Sequence, residues 1–224
     1  YWVGERFVEA FESGRNVGSY AKAVKGLDTC DNDRFVRQWE EVSNQAIGFH
    51  VCDIEDTFKK RWYPYTKGGG FRRWYGFNEM VVDWRNNGEE LRNLRTPEGR
   101  IKSRPQNTRF YFKTGMVWSS LTSYKLSMRH MEHAIFGGGG TAMFCEKDEL
   151  MTLGLLNSSV GECYLSVLNP TINFLVSDIM SIPTINETDK KETIGSIVEQ
   201  QVGISKQDWD SFETSWDFKK HPLV

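Results

Sequence analysis

Few residue patterns in the chain are typical of a catalytic centre. His130 and His133 lie three residues apart with Glu132 between them, a spacing that would suit a shared metal ion on a helix. Because no third ligand follows at a suitable spacing, we expect surface histidines and no metal site. Neither the Gly-x-Ser-x-Gly nucleophile motif nor the phosphate-loop lysine motif occurs in the chain. The sequence therefore predicts no catalytic residue here.

A glycine-rich segment at residues 67–76 combines cations with aromatic rings. Lys67 precedes three consecutive glycines, and Arg72 and Arg73 directly precede Trp74 and Tyr75. Guanidinium groups bind phosphates and guanine edges, and exposed aromatic rings stack on bases. The segment is typical of a nucleic-acid contact, and a structured loop with core aromatics is the alternative. A second glycine run, residues 137–140, lacks a following lysine; it is typical of a flexible turn, with a phosphate contact as the alternative.

Two further loops carry side chains of the kinds that contact DNA. Residues 103–107 present Arg104, a type that pairs with guanine, beside Gln106 and Asn107, types that pair with adenine. Residues 118–123 form a hydroxyl cluster, which two more cations follow. Three such loops in one basic segment favour nucleic-acid binding over ordinary structured loops. The predicted DNA-binding residues are Lys67, Arg72, Arg73, Arg104, Gln106, Asn107, Ser119, Ser120, Thr122, Lys125 and Arg129.

The distribution of charge favours a polyanionic ligand. The whole chain has a net charge of −2. Residues 59–129 contain 16 Lys and Arg against 5 Asp and Glu, whereas the remainder contains 12 basic and 25 acidic residues. A basic middle between acidic flanks is typical of a nucleic-acid surface. A solvated basic face without a ligand is the alternative.

The fold class predicted from these patterns is α+β, with a mostly antiparallel, twisted sheet, flanking helices and a C-terminal helical tail. Runs of aromatic and β-branched residues predict strands at 80–84, 108–112, 115–118 and 142–145. Helices are predicted at 33–42, 150–156 and 159–169, the last with Ser159 and Glu162 in capping-box spacing. An extended segment is predicted at 172–176. In the tail, apolar spacing predicts a helix at 193–202 and a further turn that carries Trp209.

Cysteine usage and apolar segments restrict the environment of the chain. Its four cysteines form no Cys-x-x-Cys pair, so we expect free thiols in a reducing, cytoplasmic compartment. No stretch approaches the roughly 20 apolar residues of a membrane helix, and no signal peptide opens the chain, so we expect no membrane partner. The first residues look like the middle of an element, and we expect the chain to be part of a longer protein.

Several of these segments together resemble one protein family. Residues 67–76, 81–84, 104–108 and 118–123 are similar to the C-terminal region of adenine-specific DNA methyltransferases of BREX (phage growth limitation) defence and the wider type II restriction–modification family. Residues 26–35 resemble the opening of that recognition region, residues 168–179 its close, and residues 208–218 its tail. The resemblance covers nearly the whole chain in the same order. One departure is Cys30, where the family often has glycine.

The resemblance implies that the whole protein transfers a methyl group from S-adenosylmethionine to adenine N6. Such enzymes use an Asn-Pro-Pro-Tyr motif, and here the one Asn-Pro, Asn169-Pro170, is followed by Thr171. We therefore expect this chain to be no enzyme by itself, to bind no cofactor and to act as the DNA sequence recognition module. Residues 1–185 would be the target-recognition domain and residues 186–224 a helical tail.

The partners that the resemblance implies are double-stranded DNA, the protein's own N-terminal methyltransferase domain and other subunits of the defence system. An alternative function is a protein–protein docking module of a defence complex. The acidic flanks and the last predicted helices, at residues 193–202 and 209–218, would then form the docking surface.

Overall fold

The computed structural model describes residues 3–123, 125–184 and 188–224. Within these ranges the chain forms ten strands and seven α-helices, with short 3-10 helices between them. The strands are β1 (Ala21–Lys25), β2 (Leu27–Asp28), β3 (Val36–Gln38), β4 (Trp62–Thr66), β5 (Met80–Asp83), β6 (Arg104–Pro105), β7 (Gly115–Ser119), β8 (Arg129–Met131), β9 (Ile135–Phe136) and β10 (Gly140–Cys145). The helices are α1 (Glu5–Ser13), α2 (Asn32–Phe35), α3 (Arg85–Arg92), α4 (Glu149–Asn157), α5 (Ser159–Leu168), α6 (Val176–Met180) and α7 (Lys191–Trp209).

Two four-stranded sheets form the centre of the fold. The first has the order β1-β10-β7-β8 and the second β3-β5-β4-β9, while β2 and β6 pair separately. Every pairing between these strands is antiparallel except that of β4 with β9. With the helices described below, this arrangement confirms the predicted α+β fold and its mostly antiparallel sheet.

Both faces of the first sheet are buried. On β7, Val117 packs into the core between the two sheets, whereas Met116 and Trp118 pack into the core beneath the helices. A strand that is covered on both sides needs apolar residues at every position, which is why residues 115–118 form a continuous apolar run. The core between the sheets also includes Val24, Tyr63, Tyr65, Val82, Phe136 and Ala142.

Helices α4 to α7 cover the outer face of the first sheet. Leu153 and Leu156 of α4 are buried there together with Val198 of α7. The two helices approach closely at Gly154, where an added Cβ atom would lie 2.8 Å from Val198 Cγ2. None of the helices in the described part of the chain combines the length and apolar character needed to cross a membrane.

Two secondary-structure predictions in the first half of the chain are wrong. Residues 33–42 do not form one helix, because α2 ends at Phe35 and the chain continues as strand β3 against β5. Residues 108–112 do not form a strand. A left-handed Asn107 (φ +53°) starts a 3-10 helix at Thr108–Phe110, and Phe112 (φ +66°) turns the chain again. At the first place, pairing with β5 overrides the local helix preference. At the second, burial of Tyr111 and Phe112 in the core overrides the local strand preference.

Most of the remaining predictions hold with shifted boundaries. The segment predicted as extended at 172–176 forms no strand, because it makes only an isolated bridge from Asn173 to Leu121 and α6 begins at Val176. Strands at 80–84, 115–118 and 142–145 and the helix at 150–156 are confirmed. The next helix is capped by Ser158, whose hydroxyl accepts from Gly161 N, one residue before the predicted Ser159. The tail forms one helix, α7, that continues to Trp209, not two separate pieces. The predicted domain boundary at residues 185/186 lies outside the described residues.

Candidate nucleic-acid interface

Leu27 holds the predicted contact loop at residues 103–107 next to the glycine run at residues 137–140. It pairs with Pro105 in the β2–β6 ladder and forms a bridge with Gly137. Its carbonyl oxygen accepts hydrogen bonds from Gly138 N and from the Tyr65 hydroxyl, each at 3.1 Å. Residues 103–107 and 137–140 are therefore fixed beside the loop that follows β2.

Glycine is required where these loops cross. A Cβ atom added to Gly26 would lie 1.8 Å from the carbonyl oxygen of Phe136. One added to Gly137 would lie 2.0 Å from the carbonyl oxygen of Leu27. Real Cβ atoms never approach backbone oxygens so closely, so the close crossing depends on the missing side chains. The glycine run at 137–140 thus has a packing role in addition to its turn.

The predicted hydroxyl cluster holds the glycine-rich segment in place. Ser119 is 5% exposed, and its hydroxyl accepts from Gly69 N and donates to Gly69 O, both at 2.7 Å. Ser120 Oγ lies 2.9 Å from Thr141 Oγ1, and Thr122 is buried. The Ser119 hydroxyl positions loop 68–70, and burial keeps Ser119 and Thr122 from direct contact with a large ligand.

The loop at residues 103–107 presents its polar side chains to solvent. Arg104, Gln106 and Asn107 are all exposed. Within the described ranges Arg104 makes no ion pair, and Asn107 Nδ2 donates to the carbonyl oxygen of Lys25 at 2.9 Å. The loop is thus anchored through one amide while its guanidinium and second amide stay available to a ligand.

A cleft of about 590 Å³ opens beside this loop. Lys102 and Asp31 face each other across 3.7 Å within it. Cys30 takes a left-handed conformation (φ +53°), so this backbone geometry is present although the residue is not the family's usual glycine. Burial, helped by Asp28, raises the pKa of the Cys30 thiol. The cleft mixes both charge signs; its lining residues are Asp28, Thr29, Cys30, Asp31, Asn32, Asp33, Lys67, Lys102 and Gly138.

Three other predicted contact residues form ion pairs within the protein. Arg73 and Lys125 both pair with Glu162 of α5, at 3.8 and 2.5 Å. Arg72 pairs with Asp208 of α7 at 2.8 Å. Their charges are therefore partly compensated by acidic residues of the helical layer. These three cations are therefore held against the helical layer, whereas Arg104, Gln106 and Asn107 are exposed in the loop beside Leu27.

Arg129 requires a correction. We expected it on the DNA-binding surface, but it is 0% exposed and lies within β8, so a phosphate cannot reach it in this conformation. Charged residues are usually exposed, which is why its sequence gave no sign of burial.

The histidines do not assemble a metal centre within the described part of the chain. His130 lies near Glu149 (3.6 Å), and His133 Nδ1 lies 3.1 Å from Val51 O and 3.4 Å from Cys52 Sγ. No group of three or more potential ligands occurs among those residues. The four cysteines are free thiols.

Sequence reasoning missed the contributions of Leu27, Lys102 and the acidic residues after β2. Leu27 has no polar side chain, and its importance comes from backbone pairing with Pro105 and Gly137, far along the chain. Lys102 belonged to the counted basic segment but carried no motif of its own. The sequence carried little sign of the roles of Leu27 and Lys102, because these roles depend on pairing between distant parts of the chain.

Two known proteins are similar to the chain over its whole length. The adenine-specific methyltransferase BrxX of Escherichia coli O9:H4 (strain HS) is 33% identical over 230 residues, which covers 100% of this chain and 18% of BrxX. The adenine-specific methyltransferase PglX of Lacticaseibacillus casei (strain Zhang) is 31% identical over 229 residues, covering 100% and 19%. The chain resembles one region of the BREX adenine methyltransferases. No family model matches it.

The similarity confirms the resemblance to BREX methyltransferases that the sequence motifs indicated. The chain spans less than a fifth of the length of BrxX and PglX, which is consistent with a C-terminal region of such an enzyme. Both relatives are adenine-specific methyltransferases.

Proposed function

We propose that the chain is the DNA sequence recognition module of an adenine-N6 DNA methyltransferase in BREX-type phage defence. The observation that carries the proposal is loop 103–107, whose exposed Arg104 and Gln106 stand beside two glycine loops that are fixed to the fold. Methyl transfer and binding of S-adenosylmethionine are assigned to the rest of the parent protein. Double-stranded DNA is the proposed partner.

The chemistry of the loop suits direct reading of base edges. Arginine donates two hydrogen bonds to O6 and N7 of guanine, and glutamine or asparagine pairs with N6 and N7 of adenine. Arg104 and Gln106 are the available side chains of these types, while Asn107 is partly used in holding Lys25 O. Since the target adenine must leave the duplex to reach a methyl donor, the module's task is to hold the DNA in register.

The surroundings of the loop supply further contacts of both signs. Lys67 and Lys102 line the cleft next to the loop and suit DNA phosphates. The carboxylates of Asp28 and Asp33 line the same cleft and suit the amino group of cytosine. A mixed cleft favours discrimination between bases over uniform attraction of phosphates.

Methylation-site profiling of the full-length protein tests the proposal. We expect Arg104→Ala and Gln106→Ala each to relax the methylated sequence at one position, by about 1–3 kcal/mol of discrimination. The matched control is Arg6→Ala, since Arg6 is an exposed arginine on α1. An unchanged motif and unchanged rate for both loop variants would remove this loop from the recognition surface.

A protein-docking module is the second candidate, favoured by an exposed apolar stripe on α7. Ile197 and Ile204 are seven residues apart on this helix and are 52% and 60% exposed. This spacing places both side chains on the same helical face. If a partner protein docks on this face, the double variant Ile197→Ser, Ile204→Ser should no longer bind that protein. Added salt should not weaken the binding of that protein to the wild type.

A further inference from the structure

Arg129 is a buried cation without a polar partner. It is 0% exposed, and its Nε, Nη1 and Nη2 atoms have no hydrogen-bond partner among the residues that the structure describes. No carboxylate in residues 3–123, 125–184 or 188–224 pairs with it, and burial lowers its pKa to about 10, so it remains charged at neutral pH. A charge held in a protein interior without a counter-ion is unfavourable. Such a group has a physical reason to meet an anion in another conformation.

The aromatic ring of Phe77 lies over the Arg129 guanidinium. The distance from Arg129 Cζ to the ring centroid is 5.1 Å. Phe77 has a left-handed backbone (φ +60°), and it follows Gly76 at φ +125°. A bulky aromatic residue in this region is strained, and such strain concentrates at segments that switch between conformations.

Phe77 is packed between the glycine-rich segment and the C-terminal helix. A Cβ atom added to Gly69 would lie 2.8 Å from the Phe77 ring, so the two are in direct contact. On another side the ring packs against Trp209 of α7, with centroids 6.1 Å apart. Gly69 in turn is tethered to the Ser119 hydroxyl. A ligand that shifts loop 68–70 would therefore move the ring that covers Arg129.

The backbone just before Phe77 is anchored, so a movement of the Phe77 ring alone is sufficient to uncover Arg129. The backbone of Trp74 is paired with β8, since its N–H donates to Met128 O at 2.8 Å and its carbonyl accepts from His130 N at 2.7 Å. Ser205 of α7 donates to the carbonyl of Tyr75 at 3.1 Å. These contacts fix residues 74 and 75, whereas the Phe77 side chain is held by packing alone in the described contacts.

We propose that Arg129 is a latent phosphate-binding residue. When a DNA strand contacts loop 68–70 and shifts it, the Phe77 ring is displaced. The guanidinium of Arg129 is then uncovered and binds a phosphate of the DNA backbone. The inference rests on the proposed DNA recognition function and extends it by assigning a covered contact. It also gives the buried charge of Arg129 a partner in the DNA-bound state.

Chemical modification of arginines in the DNA-free, full-length protein tests whether the Phe77 ring shields Arg129. With phenylglyoxal and mass-spectrometric mapping, Arg129 of the wild type should stay unmodified while the exposed Arg104 reacts. Phe77→Ala should make Arg129 reactive, and the control Phe58→Ala, which removes an aromatic ring that is 64% exposed, should leave it unreactive. An unreactive Arg129 in Phe77→Ala would overturn the role of Phe77 as the cover.

DNA binding by the same protein across a salt series tests the phosphate contact. Arg129→Met should reduce the magnitude of the slope of log affinity against log salt by about 1, the value expected for the loss of one phosphate contact. The control Arg6→Met should leave this slope unchanged. Phe77→Ala, which keeps Arg129, should bind DNA about 3- to 10-fold more tightly because the ring no longer has to be displaced. If Arg129→Met fails to fold, this tightening decides the matter by itself.

The outcomes separate this inference from the function on which it rests. Salt-dependent DNA binding with an unchanged slope in Arg129→Met and unchanged affinity in Phe77→Ala would overturn the latent site alone. Absence of salt-dependent binding in the wild type would overturn the DNA recognition function and the latent site together.

Discussion

Arg104 and Arg129 belong to the same basic segment but have opposite surroundings. Arg104 is exposed opposite Asp28 in the β2–β6 ladder, and Arg129 is enclosed beneath Phe77. DNA contacts need donors that solvent can reach, so Arg104 is suited to read bases in this conformation. At the scale of single residues, burial decides which of the predicted cations is available.

Gly26 offers a direct test of the close crossing that fixes the contact loops. Gly26→Ala would place a Cβ atom 1.8 Å from Phe136 O, so we expect a loss of about 3 kcal/mol in unfolding free energy. Gly203→Ala is the control, because nothing lies within 4 Å of its added Cβ on α7 and alanine favours helix by about 1 kcal/mol. Chemical denaturation measures both variants. Equal stability of Gly26→Ala and wild type would contradict the crossing.

At the scale of elements, α7 connects the helical layer to the segment before β5. Its residue Asp208 pairs with Arg72, and Ser205 donates to carbonyl oxygens of Arg73 and Tyr75. Lys206 is held between Asp210 and Asp217, and these carboxylates raise its pKa against the opposing effect of burial. The end of the helix is thus integrated with the body of the fold.

A substitution at Trp209 measures how much the contact between the end of α7 and the segment before β5 contributes to the unfolding free energy. It is 7% exposed and packs against Phe77 and the guanidinium of Arg72. We expect Trp209→Ala to lower the unfolding free energy by about 3–5 kcal/mol, as for other buried tryptophans. Phe212→Ala, at a ring that is 50% exposed, should change it by less than about 1 kcal/mol. Similar thermal stability of the two variants would show that α7 ends in a loosely packed tail.

At the scale of the whole molecule, the chain is similar to one region of two much longer relatives. BrxX and PglX are covered to 18% and 19% of their lengths. We predict that this chain alone neither binds S-adenosylmethionine nor methylates DNA. Isothermal titration calorimetry with the cofactor checks this, and saturable binding at micromolar cofactor would contradict the division of labour. The full-length protein serves as the positive control.

The salt dependence of DNA binding by the full-length protein is a second whole-molecule prediction. Phosphate contacts release counter-ions, so affinity should fall steeply as salt rises. Arg104→Ala is expected to lower specificity more than overall affinity, whereas Lys67→Ala should weaken all sequences alike. Binding that is independent of salt would favour the docking function of α7.

The sequence by itself determined several of the local elements and the residue types of the loops. The strand runs at 80–84, 115–118 and 142–145 and the helix at 150–156 follow from residue types and spacing, which act over a few neighbours. The polar, proline-restricted composition of residues 103–107 also predicted an exposed loop of donors, and Arg104 and Gln106 are exposed. The family resemblance rested on the same short motifs.

Only the tertiary structure decided which polar groups are free. Arg72 meets Asp208 from 136 positions away, and the Ser119 hydroxyl is used by Gly69 from 50 positions away. Likewise, Ala21 of β1 pairs with Cys145 of β10, although the two residues are far apart in the sequence. Periodicity describes contacts over one or two turns, whereas burial of Arg129 arises from strands and loops that are brought together by folding. For that reason the residue types in the candidate loops could be read from the sequence, whereas their burial and their partners could not.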